Sequence, residues 1–167
     1  MKKLVLLLFV FQSFLIMAQD AESHFKKAEE LYNNDQIDDA IKEYTKAIEI
    51  DQAHMNSYLR RGFAYNMMEK YDESVKDFSK VIEINPKHVW AYISRGSAYN
   101  KLSKYKEALD DFNKAISIDP ENQEAYNNRG WAKKFLGDTD GACEDWNKSK
   151  KLGNGEAKII LKNNHCK

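Results

Sequence analysis

The chain has 167 residues, and its 26 lysines and arginines balance 26 aspartates and glutamates. A neutral chain has no general attraction for nucleic acid or anionic lipid, which excludes the readings that rest on a basic surface. The length suits one domain.

Lys2 and Lys3 precede an apolar run from Leu4 to Met17, and Ala18 follows. That order is the layout of a secretory signal peptide. The run is shorter than the roughly 20 residues a membrane-spanning helix needs. Residues 1–18 are therefore read as a signal peptide cleaved after Ala18, with an uncleaved anchor as the alternative. The mature chain, 19–167, is expected in the periplasm or outside a bacterial cell. It has no transmembrane segment and carries two more acids than bases once Lys2 and Lys3 are gone.

From Ala21 onward the chain repeats. Gly62, Gly96 and Gly130 are 34 residues apart. Tyr58, Tyr92 and Tyr126 keep that step, as do Arg61, Arg95 and Arg129. Phe78, Phe112 and Trp146 keep it further along, with Tyr44 one step earlier. A fixed period in this range marks a stacked array of supersecondary units. The units are 21–54, 55–88, 89–122 and 123–156.

Unit 89–122 shows the local logic. Tyr92, Gly96 and Tyr99 fall on one helical stripe, and Ala108, Phe112 and Ala115 on another. Asp119-Pro120 stops the second helix, because a residue before proline is pushed out of the helical region. In the first unit His24 stands for the aromatic and Ala28 for the glycine. Ala28 is expected to face Ala40 across the helix pair, as Gly96 faces Ala108. Asp35 and Asp38 are expected to cap the second helix. Gln52 replaces the proline, which predicts a weaker stop.

The last unit turns polar in its second helix, and Lys133 replaces an inward tyrosine. Gly153 and Gly155 break the chain. Residues 156–166 are predicted as a capping helix, with Ala157, Ile160 and Leu161 on the stripe that covers the array's end. If this helix folds back, Cys143 and Cys166 lie at similar heights, and an exported chain permits a disulfide between them.

Tyr92, Gly96, Tyr99, Ala108, Phe112, Ala115 and Pro120 together resemble the tetratricopeptide repeat family, over about Ala21 to Glu156. The resemblance implies an all-α solenoid of antiparallel helix pairs coiled into a right-handed superhelix. It also implies a concave groove, lined by the first helices, that holds a peptide segment of a partner protein. Carried over by position, the groove residues are Phe25, Tyr32, Leu59, Phe63, Asn66, Met67, Trp90, Ile93, Asn100, Asn127, Trp131 and Phe135. Glu22, Glu29 and Glu124 oppose Lys101 and Lys134 there, so neither a strongly acidic nor a strongly basic ligand is implied. Some family members clamp a C-terminal carboxylate with basic and amide side chains. Phe25, Glu29, Phe63, Ile93 and Ser97 occupy those places here, and the clamp is absent.

Nothing in the sequence assembles a nucleophile, a base and an orienting group. No two histidines stand four residues apart on a helix, so no metal or other cofactor is expected. Glu43, Asp77, Asp111 and Asp145 recur with the arginines. The arginines are either a row for an anionic ligand or partners of these acids, the second being favoured, with pairs Glu43–Arg61, Asp77–Arg95 and Asp111–Arg129. The reading is a non-enzymatic module that binds a peptide segment of a protein partner. The alternative is a structural spacer or assembly subunit of a cell-envelope complex.

Overall fold

The computed structural model describes residues 19–166. The expected signal peptide, 1–18, lies outside the described residues. Among the described residues there are nine helices and no strand. They are α1 (19–33), α2 (Ile37–Ile50), α3 (Met55–Met67), α4 (Tyr71–Ile84), α5 (Val89–Lys101), α6 (Tyr105–Ile118), α7 (Gln123–Phe135), α8 (Thr139–Lys151) and α9 (Ala157–Asn163). The fold is an all-α solenoid of antiparallel helix pairs. The chain divides between Glu69 and Lys70 into two compact units.

The connections repeat as faithfully as the helices. Each turn inside a pair carries one residue in the left-handed region: Asp35 (φ 61°), Glu69 (58°), Ser103 (59°) and Gly137 (89°). Asp35 is thus the turn residue and Asp38 lies inside α2, whose first-turn amides receive no side-chain cap. Asp51, Asn85 and Asp119 end the second helices in extended backbone. Each side chain accepts a hydrogen bond from the amide two residues on, to Ala53 (2.9 Å), Lys87 (3.1 Å) and Glu121 (3.2 Å). The stop at Asp51 therefore matches the other two without a proline, because the side-chain turn makes it. The next helix is capped by Nδ1 of His54 or His88, or by Oδ1 of Asn122, which accepts from Ser57, Ala91 or Ala125 at 3.1–3.2 Å.

In the first unit Ala28, Ala40 and Tyr44 form a core against Phe25, Leu31 and Tyr32. In the second unit Tyr92, Ile93 and Phe112 are packed with four alanines of α6 and α7, and partly buried neighbours such as Ile82, Tyr99 and Leu109 lie against them. The Phe112 ring is the nearest neighbour of Gly96: a Cβ there would lie 2.8 Å from it. At Gly130 a Cβ would lie 2.5 Å from Trp146. The glycine makes room for an aromatic ring.

α9 closes the second unit with Ala157 and Leu161 buried, and Leu161 packs on Trp146. It is shorter than the expected 156–166. Cys143 and Cys166 are brought together with Cα atoms 5.5 Å apart, a span that suits a disulfide.

The charge ladder differs from its expected form. Arg95 forks onto Asp111 (2.7 and 2.8 Å), and Arg129 onto Asp145 (2.7 and 2.8 Å). Both pairs lie within one repeat, so neither Asp77–Arg95 nor Asp111–Arg129 is the forked pair. The remaining guanidinium nitrogen reaches back to the preceding second helix: Arg95 to Ser79 (2.9 Å), Arg129 to Asn113 (2.7 Å) and Arg61 to Thr45 (2.8 Å). In the first repeat Lys27 takes the arginine's place and bonds Glu43 at 3.0 Å. Burial pushes the Asp111 carboxyl up and the Arg95 fork pulls against it, while the carboxylate raises Arg95.

Candidate functional site

The two ends of α5 and α7 carry the exposed aromatic side chains of the second unit. Trp90, near the start of α5, is 51% exposed, and Phe135, the last residue of α7, is 57% exposed. Trp131 lies one turn before Phe135 on α7. Its ring is edge-on to the buried Trp146 (centroids 5.1 Å) and tilted against Phe135 (6.3 Å). Tyr105, the first residue of α6, stacks on Phe135 with centroids 4.9 Å apart and planes 15° apart.

These rings wall a cavity of about 450 Å³. Its floor is polar. Asn100 Nδ2 donates to the carbonyl of Asn128 (3.2 Å), and Asn128 Nδ2 donates to Ser97 Oγ (3.3 Å). The cross-bonds hold α5 against α7. Asn100 Oδ1 is covered and has no partner among the described residues. Lys101 and Ser103 complete the rim.

The cavity gathers three of the expected groove residues, Asn100, Trp131 and Phe135. Three others of the second unit, Ile93, Asn127 and Trp90, fall elsewhere. Ile93 is 1% exposed and belongs to the core, because its stripe of α5 faces α6 and α7. It is not a groove residue. Asn127 is half-buried outside this cavity with its Oδ1 covered, and its backbone carbonyl accepts from Trp146 Nε1 at 3.1 Å. Trp90 lines a separate cavity of about 240 Å³ with Asp119, Glu121 and Glu124. Burial raises the Glu124 carboxyl there.

In the first unit Tyr32 donates to Met67 Sδ at 2.9 Å, and Met67 is 54% exposed. Phe25 is tilted against His54 (5.3 Å) and Tyr44 (5.9 Å). Leu59, Phe63 and Asn66 are half-buried, and Asn66 Oδ1 is covered without a partner.

Tyr105, Ser103 and Asn128 line the cavity without having been expected. Tyr105 comes from the start of a second helix and Ser103 from the turn before it. Tyr71 holds the same repeat place as Tyr105, and that recurrence was the available signal.

Two lysines differ in freedom. Lys134 sits 5.2 Å from the Trp131 ring and hydrogen-bonds Asn164 beyond α9. Lys101 makes no ion pair among the described residues. Lys133 is drawn inward to Asp145 (3.0 Å), filling the place of the missing tyrosine. No group of three or more His, Cys, Asp or Glu that could hold a metal occurs among the described residues. No described helix is long and apolar enough to cross a membrane.

Models described as tetratricopeptide repeat match residues 21–54, 56–88, 89–122 and 112–144. The chain belongs to the tetratricopeptide repeat family. The family's fold is a protein-interaction scaffold, generally without catalysis. Among curated proteins, none matches the sequence. Among solved structures, the chain is similar to MamA (TM-score 0.77, 24% identity, 83% of this chain and 81% of that one), a likeness of fold alone. It is also similar to the tetratricopeptide domain of Arabidopsis OM64 (TM-score 0.67, 30% identity, 71% and 98%). A third is the first such domain of Spaghetti (RPAP3), solved with the HSP90 peptide SRMEEVD (TM-score 0.69, 27% identity, 72% and 95%).

Proposed function

We propose that this tetratricopeptide protein is a non-enzymatic module that holds a peptide segment of a partner protein against the face formed by α5 and α7. The supporting observation is the cavity of about 450 Å³ walled by Trp131, Phe135 and Tyr105 over an amide floor. Exposed aromatic patches of this kind mark interaction sites, and a few aromatic anchors carry most of the binding energy at such surfaces. The RPAP3 domain's peptide is a precedent for the use of such a fold. Phe25, Glu29, Phe63, Ile93 and Ser97 still lack the charges of a carboxylate clamp, so the segment is not held by its C-terminal carboxylate.

The module is exported, on the reading of residues 1–18, and the Cys143–Cys166 pair is oxidised in that compartment. Crosslinking in native cells identifies the partner. Phe135→Ala then weakens its capture by about 2 kcal/mol with helical content unchanged. Phe135 is chosen because it is exposed and its truncation leaves the core whole. Undiminished capture by Phe135→Ala, with capture lost on removal of α9, would establish the structural-spacer reading instead.

A further inference from the structure

Resting on that proposed function, we infer that the cavity at the ends of α5 and α7 selects an aromatic side chain with a carboxylate beside it in sequence. The partner is then an extended acidic-aromatic segment. Three features converge on this chemistry.

The walls set the anchor. Phe135 and Tyr105 are stacked on each other, and Trp131 stands behind them. A volume of about 450 Å³ is at the small end of ligand sites. It suits one ring with its stretch of backbone, which offset or edge contacts with the wall rings would favour.

The floor sets the backbone. Asn100 Nδ2 donates to the Asn128 backbone carbonyl and Asn128 Nδ2 to Ser97 Oγ. The Asn100 acceptor, Oδ1, is left covered and without a partner among the described residues. A covered acceptor without a partner costs about 1–3 kcal/mol, and a small turn of the amide would let an incoming backbone N–H satisfy it.

The rim sets the charge. Lys101 is the one Lys, Arg, Asp or Glu among the described residues of the lining, and it is exposed, with no ion pair among them. No carboxylate among the described residues lines the cavity. The face as a whole is nearly neutral, but its charges are segregated. Glu121, Glu124 and Asp119 gather around Trp90 at the opposite ends of the same helices. Trp90 and Lys101 are about 16 Å apart along α5 at the helical rise. That exceeds the Debye length of about 8 Å at physiological salt, so the distant acids do not cancel Lys101.

The test uses the full chain and fluorescein-labelled octapeptides of glycine and serine with a central Phe-Asp, Phe-Asn, Phe-Lys or Ala-Asp pair. Anisotropy titrations should give Phe-Asp at least tenfold tighter binding than Phe-Lys, with Phe-Asn between and Ala-Asp weakest. Lys101→Glu should invert the order of Phe-Asp and Phe-Lys. Lys101 is exposed, so this variant keeps its helical circular dichroism. Equal affinity for the three phenylalanine peptides overturns the carboxylate preference, and binding of Ala-Asp as tightly as Phe-Asp overturns the anchor. If no peptide binds, the inference falls. The interaction reading is then judged separately by whether Phe135→Ala loses the crosslinked native partner.

Discussion

Arg95 grips Asp111 sixteen residues onward in its own repeat, and with its third nitrogen it holds Ser79 of the repeat before. Removing one partner of a buried pair leaves the other charged and unsatisfied. Arg95→Met should lower stability by about 3 kcal/mol. Adding Asp111→Leu should recover most of it, because the stranded carboxylate is gone. Urea unfolding followed by circular dichroism reads both values, and an additive loss in the double variant would count against the pairing.

The two glycines under the aromatic rings give a graded pair. Alanine gains about 1 kcal/mol of helix propensity over glycine. Overpacking a filled core costs about 1–3 kcal/mol. At Gly96 the added methyl would meet Phe112 at 2.8 Å, and at Gly130 it would meet Trp146 at 2.5 Å. The indole has less freedom to give, since Asn127 and Trp131 fix it. Both alanine variants should melt lower, Gly130→Ala by the larger margin.

His88 accepts the amide of Ala91 where Asn122 accepts that of Ala125. His88→Ala should cost about 1 kcal/mol, the worth of a helix N-cap. His88→Asn should restore it, as asparagine already does this work one repeat later. Thermal melts of the three proteins compare them directly.

Much of this was legible in advance. The 34-residue step fixes helix pairs, turns and stripes because Tyr92, Gly96 and Phe112 each recur at one place with one packing role. Partner choice was not legible in the same way. Arg95 has an acid 16 residues after it, Asp111, and another 18 before it, Asp77. Only the placement of α6 beside α5 makes the later one the fork's target. Ile93 and Trp90 share helix α5, yet one is core and the other exposed. A groove carried over by repeat position does not register which stripe a neighbouring helix covers. Tyr105 opens a second helix, whereas the groove positions carried over from the family lie on first helices.

Glu43 makes stability depend on acid. It is 5% exposed. His24, then Lys46 and Lys27, hold its carboxyl down to about 2, from an ordinary 4.5, against the opposing effect of burial. The unfolded chain therefore binds the proton first as pH falls. The stabilisation is fully present above about 4.5 and is lost as pH drops toward about 2. Across that window Glu43→Gln should lose less stability than the parent. Parallel loss in both proteins would show that other carboxylates control the acid limb.

The cysteine pair links sequence positions 23 apart. In exported, unreduced protein no thiol should titrate. Replacing both cysteines by alanine should lower stability by roughly 3 kcal/mol, on the loop-entropy view of a cross-link. Two titratable thiols in that preparation would refute the bridge.

The fork of Arg95 onto Asp111, of Arg129 onto Asp145, and the bond from Lys27 to Glu43 give these repeats a self-contained charge balance. What the arginine asks of its predecessor is only a neutral acceptor: a threonine, a serine or an asparagine. A whole repeat could therefore be duplicated or deleted in register without stranding a buried ion. The joint between neighbours is a generic coupling, so array length is free to change during evolution, or by design, while each repeat keeps its own internal lock.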